Sequence, residues 1–176
     1  MVLKELLQEY QGKIRVVFKH MVVHPQQVAG AHLVACGAAK QGKFAAFYDA
    51  FFDRAYKEYT EKRDPSLLGE ENTFKIAADI GLDVNRVKAD MQSCQQLIAA
   101  DEDELRKFRV NGTPAFFING EFVGGGIPKD AFKQIIDKKL QIAQASGVPG
   151  AEYYEREIRA KGQKSVERQR RRAEQE

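Results

Sequence analysis

Asn111-Gly112-Thr113-Pro114-Ala115-Phe116-Phe117-Ile118-Asn119-Gly120 is the stretch on which the reading of this chain turns. Asn119 and Gly120 accept the positive φ angles that a type I′ turn requires, and short apolar runs flank them. The pattern predicts a tight antiparallel hairpin, with residues 115–118 as its first strand and 121–123 as its second. Pro114 opens the first strand. Because a proline cannot donate to a ladder, it must sit where its missing N–H does no harm. A cis Thr113-Pro114 bond is one solution, turning the backbone outward and leaving polar groups of Thr113 to pair with an extended peptide.

Upstream, Val2, Leu3, Leu6, Leu7 and Tyr10 recur at helical spacing, and Gly12 supplies a positive-φ end to that helix. Residues 14–18 (Ile-Arg-Val-Val-Phe) form a β-branched and aromatic run, expected as a strand buried on both faces. The region 26–108 reads as helical throughout. Phe44, Phe47, Tyr48, Phe51, Phe52 and Ala55 give one helix a broad aromatic face, and Ile76, Ala77 and Ile80 before Gly81 give another a shorter one. Ser93-Cys94-Gln95-Gln96 fits a capping box and predicts a helix start there, running to Phe108. Downstream of the hairpin, Pro128 suits the first position of a helix carrying Phe132, Ile135, Ile136, Leu140 and Ile142. Residues 147–150 (Gly-Val-Pro-Gly) break it. Tyr153, Tyr154 and Ile158 are the contacts expected to dock a last helix.

The 176 residues, 43% hydrophobic and 30% charged, suffice for one compact domain with an appendage. A net charge of +3 is too small to argue for nucleic acid. No apolar run approaches the ~20 residues needed to span a bilayer, and the N-terminus lacks the basic and apolar blocks of a signal peptide.

With these segments in view, Val110 to Gly120 resembles the cis-proline segment of the DsbA-like branch of the thioredoxin superfamily, the bacterial disulfide oxidoreductases. Other segments agree. Gly12 to His20 is similar to that family's second core strand, Ala31 to Cys36 with Gln41 to Phe44 resembles its helical insertion, and Phe122 to Pro128 resembles the approach to its last core helix. The likeness runs from about Val2 to about Leu140. It implies an α/β, thioredoxin-like fold of the DsbA type that is mostly helical, with a large helical insertion at about 26–108. The expected organisation is a domain at 1–146 and a C-terminal helical extension at 147–176.

The chain departs from that family in one respect. Those enzymes work through a Cys-x-x-Cys at the start of the first helix, just after the first core strand, whereas this sequence begins inside that helix and holds no Cys-x-x-Cys. Its first core strand is therefore expected to be absent from this chain. In the family's topology that strand lies between the run at 14–18 and the one at 115–118, leaving those two ~10 Å apart with unpaired ladders facing each other. Buried unpaired backbone groups cost roughly 1–3 kcal/mol each, and half a dozen would exceed a typical domain's ~5–15 kcal/mol. The gap is therefore expected to close, either by direct pairing of the two runs or by a strand from another chain, as in a homodimer or strand-swapped oligomer.

Cys36 and Cys94 lie 58 residues apart in sequence. Each reads as a small buried hydrophobe, or the two form a structural disulfide, which the oxidising compartment implied by the resemblance would permit. No resolving partner lies near either, which argues against catalysis. His20, His24 and His32 lack a completing Cys or carboxylate cluster, so no metal is expected and the three read as capping or surface residues. Asp101 to Glu104 followed by Arg106, Lys107 and Arg109 reads as a solvated, self-paired helix. Arg168 to Arg172 is one basic cluster within a mixed-charge tail, read as a solvated helix end.

By position, the resemblance maps the family's peptide-docking residues onto Thr113 and Pro114, and no cofactor is expected. It implies protein or peptide substrates with thiols or disulfides and a periplasmic or otherwise extracytoplasmic parent. A chain with this N-terminus as written would stay in the cytoplasm, a conflict that fits a natural amino terminus, export signal included, lying outside this sequence. Three readings follow: a DsbA-like thiol-disulfide oxidoreductase represented here without its redox pair and so inert; a non-catalytic thioredoxin-like module that binds peptides or dimerises; and a relative of the kappa-class glutathione transferases and isomerases. The Gly112 to Phe117 segment is closer to the oxidoreductases.

Overall fold

A computed structural model describes residues 2–166. The basic cluster at 168–172 lies outside the described residues. The chain divides into two compact units: a helical unit, Lys19–Glu104, and a hairpin unit built from the segments up to Phe18 and from Leu105 onward.

The helical unit holds α2 (Pro25–Lys40), α3 (Phe44–Ala50), α4 (Lys57–Lys62), α5 (Glu70–Asp79) and most of α6 (Val84–Lys107). Between α3 and α4 the helix continues as a π-helical stretch, Phe51–Tyr56. The wider turn stacks residues four apart, so Phe47, Phe51 and Ala55 all face the core while Tyr48, Phe52 and Tyr56 form a second aromatic row. The core gathers Val34 and Ala38 of α2, Phe47, Ile76 and Ala77 of α5, and Val87 of α6. Close approach of α2 to α6 requires Gly37, because a Cβ there would lie 2.9 Å from Val87 Cγ1. On the same two helices Cys36 and Cys94 are joined, with S–S 2.07 Å and Cα–Cα 5.8 Å, and both are buried.

Helix α6 begins at Val84 rather than at Ser93. Asp83 is the cap: its Oδ1 accepts the Arg86 N–H at 3.0 Å. Ser93 falls inside the helix, where its hydroxyl donates to the Asp90 carbonyl at 2.8 Å. The Ser-x-x-Gln pattern was a coincidence of spacing, and the stronger aspartate cap upstream sets the boundary.

The hairpin unit contains α1 (Val2–Glu9), β1 (Ala115–Ile118), β2 (Glu121–Gly124), α7 (Lys129–Ala145) and α8 (Gly150–Tyr153), the last continued by a π-helical stretch, Tyr154–Arg159. Asn119 (φ 44°) and Gly120 (φ 85°) make the two-residue turn, and α7 starts one residue after Pro128. Leu6 of α1 and Tyr10, just past its end, pack with Phe132 and Ile136 of α7, and Ile14, Phe116 and Ile118 close the cluster. The Tyr10 hydroxyl donates to Asp137 Oδ1 at 2.6 Å, and Lys129 pairs with Glu5 and Glu9, fastening α1 to α7.

Residues 14–18 are the main correction to the expected strands. They adopt no regular secondary structure and join no ladder; β1 and β2 form the only sheet among the described residues. Apart from Ile14 the run is exposed, with Val17 at 62%. Direct closure against β1 therefore does not occur. Water satisfies an exposed backbone, so the penalty reckoned for buried unpaired groups is not incurred.

Candidate functional site

The end of α6 delivers the chain to the hairpin. Arg109 adopts a left-handed φ of 56°, its N–H reaches the Arg106 carbonyl at 3.0 Å, and the Val110 N–H reaches Leu105 at 3.1 Å, a Schellman-type stop that buries Val110. Asn111, Gly112 and Thr113 then lead to a cis Thr113-Pro114 bond. Both Thr113 and Pro114 are exposed.

The hairpin register fixes which backbone groups face outward. Ile118 pairs with Glu121 across the turn, Phe117 with Phe122, Phe116 with Val123 and Ala115 with Gly124. In a two-residue hairpin the pair flanking the turn exchanges hydrogen bonds, and exchanging pairs then alternate. Pairs 118/121 and 116/123 are therefore the bonded ones. Pro114 takes the next bonded position, where its carbonyl accepts the Gly125 N–H at 2.8 Å. The proline's missing donor thus faces β2, while the N–H and C=O of Ala115 and Phe117 point to the opposite edge.

The faces divide as cleanly as the edges. Phe116 and Ile118 face the core, where Phe116 meets Phe132 edge-on at 4.9 Å between centroids. Phe117 lies on the other face beside Phe122 (5.2 Å) and Phe108 (5.5 Å), and Phe117 and Phe122 remain exposed. Val2 and Leu3, in the first turn of α1, pack against the same core cluster as Phe116. An exposed loop opening a strand edge that pairs with no other strand among the described residues is an arrangement that can receive an extended backbone.

The remaining sequence candidates lie in the helical unit. Cys36 and Cys94 are covered and bonded to each other, so neither presents a thiolate. No cluster of metal-binding side chains occurs among the described residues.

His20 is not a surface residue: only 5% of it is exposed, and its Nδ1 faces Nδ1 of His32 at 3.1 Å. Burial depresses the affinity of both rings for a proton, His32 to about pKa 4, and for His32 the neighbouring His20 adds to the effect.

The acidic run of α6, read as self-paired, also reaches across to residues 19–22. Asp101, 8% exposed, accepts the His20 N–H at 2.9 Å and the Lys19 ammonium at 2.9 Å. Glu102 accepts the Val22 N–H at 3.1 Å, and Glu104 takes Lys19 at 2.6 Å. A partner some 80 positions away leaves no local trace in sequence. The only visible signal was that the acids outnumber what helix pairing needs.

The profile of the family described as Thioredoxin matches residues 1–138. A Bacillus cereus (strain ATCC 14579) protein described as "Probable disulfide bond formation protein D" is 30% identical over 149 residues, covering 80% of this chain and 65% of that protein. Its Bacillus anthracis counterpart, of the same description, is 27% identical over 146 residues with the same coverage. A Herminiimonas arsenicoxydans protein named "Na(+)/H(+) antiporter NhaA" is 26% identical over 148 residues, which make up 82% of this chain and 22% of that protein. The chain spans somewhat less than two thirds of the length of the two Bacillus relatives. No solved structure matches it significantly.

Proposed function

The chain belongs to the thioredoxin superfamily, on its DsbA-like branch of thiol-disulfide oxidoreductases, and from that premise we propose that it carries the branch's peptide-docking element without its redox chemistry. Thr113 and Pro114, the docking positions of the branch, receive an extended segment of a thiol- or disulfide-bearing protein, and the outward N–H and C=O groups of Ala115 and Phe117, on the edge that the family's first core strand would cover, are left to continue the pairing along its backbone. The sequence offers no Cys-x-x-Cys to exchange a disulfide, and its only two cysteines are bonded to each other. Disulfide exchange is therefore not expected of these residues, and docking takes place in an extracytoplasmic compartment. The observation that carries this reading is the hairpin register, which turns one edge of β1 away from β2 beside an exposed loop.

Two assays test it. Dithiothreitol-driven reduction of insulin should proceed at the background rate in the presence of this chain; acceleration of the kind an intact oxidoreductase gives would refute redox inertness. For docking, the amide resonances of Ala115 and Phe117 should shift on addition of a reduced, alkylated, unfolded protein. Ala115→Pro deletes one outward donor and leaves the β1–β2 bonds untouched, and it should weaken binding about tenfold. Unchanged affinity would remove the ladder from the account.

A second reading, a strand-pairing or dimerisation module, is favoured by the exposed apolar run at 14–18. A strand from a second copy, or a swapped one, would pair with it. Concentration-dependent light scattering that is abolished by Val17→Lys supports this reading, and a monomer at all concentrations removes it.

A further inference from the structure

We propose that His20 and His32, seated against the carboxylates of α6, form an acid-operated latch that fastens residues 19–22 to that helix at neutral pH and releases them when both rings are charged.

The geometry dictates the proton count. Two Nδ1 atoms 3.1 Å apart make a hydrogen bond only if one carries a proton and the other does not, so the rings adopt opposite tautomers at neutral pH. The rings meet edge to face at 68°, with centroids 5.3 Å apart. One added proton is tolerated, because an imidazolium still donates its Nδ1–H to the bare nitrogen of its neighbour. A second added proton sets two N–H groups and two positive charges against each other. The bond breaks and the rings separate.

His20 is the hinge of the effect because it is held at both ends. Its ring contacts His32 of α2, and its own N–H donates to Asp101 of α6. The charged and titratable groups around the pair are Lys19 from the same segment and Asp101, Glu102 and Glu104 from α6. Asp101 and Glu102 draw protons toward the pair, while burial of both rings opposes their charging, and burial dominates. Expulsion of a doubly charged pair withdraws the His20 and Val22 amides from the carboxylates that hold them. Nothing in this device depends on peptide docking or redox activity.

The test uses the full chain in two measurements. At pH 7, the nitrogen shifts of the two rings should identify one as the Nδ1–H tautomer and the other as Nε2–H; finding both as Nε2–H overturns the latch. Hydrogen exchange, corrected for intrinsic rate, should show the His20 and Val22 amides losing about tenfold or more of their protection as the pH falls from 6 to 4. His32→Asn keeps a hydrogen-bonding side chain that takes up no proton, so its loss of protection should come at a pH lower by about one unit or more. Coincident loss in the variant and the parent assigns release to the carboxylates and overturns the proposal. Should His32→Asn not fold, the tautomer measurement decides alone.

Discussion

The helical unit and the hairpin unit cover their apolar side chains by different means. Between residues 19 and 104 each helix satisfies its own backbone, so the side chains are free to interlock: Val87 packs over Gly37 and a disulfide joins the same two helices. In the hairpin unit α1 and α7 bury one face of a two-stranded ribbon, but Val16, Val17, Phe18, Phe117 and Phe122 stay in water. A helix carries its hydrogen-bond partners within itself, whereas a strand needs a neighbour. A region made of helices is complete alone; a region made of strands advertises what it has yet to bind.

The sharpest way to break this contrast is to remove the tie in the stronger half. Replacing Cys36 and Cys94 together by alanine opens a 58-residue loop in the unfolded chain, and should lower stability by about 4 kcal/mol in urea titration. Exchange protection should fall in the helical unit and persist in β1. Equal losses in both would show that the two units unfold as one. The converse experiment is Phe132→Ala, which empties the centre of the small core and should cost about 3 kcal/mol. Its loss of protection is expected in β1 and α7.

Acid should act on the helical unit selectively. His20 and His32 bind protons less readily folded than unfolded, so their contribution to stability is fully present above about pH 6.5 and is lost as the pH falls toward 4. After allowance for partial solvent access, a loss of about 2 kcal/mol is expected from melts over that range.

In the hairpin unit the corresponding sensitivity lies at high pH. The hydrogen bond to Asp137 pushes the Tyr10 hydroxyl up to about 12, so folded Tyr10 keeps its proton longer than unfolded tyrosine. Its contribution is present below pH 10 and lost toward 12. Tyr10→Phe should cost about 1 kcal/mol at pH 7 and flatten that alkaline loss. The smallest effect belongs to the exposed run. Val17→Thr should alter stability by no more than about 0.5 kcal/mol, measured by urea titration, because the side chain is already in water.

These contrasts also explain what could be read from sequence. The hairpin was legible because Asn119-Gly120 and the strands flanking it are a local grammar, and the same segment displayed Thr113 and Pro114. The aromatic helix and Gly12, Gly81 and Gly147 were legible for the same reason, each glycine lying at positive φ. Residues 14–18 were misjudged because β-branched composition reports what a strand prefers, while burial depends on a neighbour that this chain does not supply. The helix start at Ser93 failed because a Ser-x-x-Gln spacing also occurs within a helix, where Ser93 lies, while Asp83 caps the first turn ten residues upstream. The His20, His32 and Asp101 cluster escaped altogether, since its members are assembled by folding a loop back onto a helix some 80 residues away in sequence.

The placement of Pro114 opposite Gly125 has a consequence for recognition. Since the imino acid sits on the hairpin's inner side, the outer rim offers donors and acceptors at every second residue, starting with Ala115. A guest chain laid along that rim can slide only in two-residue steps, like a pawl on a ratchet, and each step presents the same backbone pattern while exchanging one pair of guest side chains for the next. On the docking reading proposed above, such an edge would select for an unfolded client rather than for a sequence.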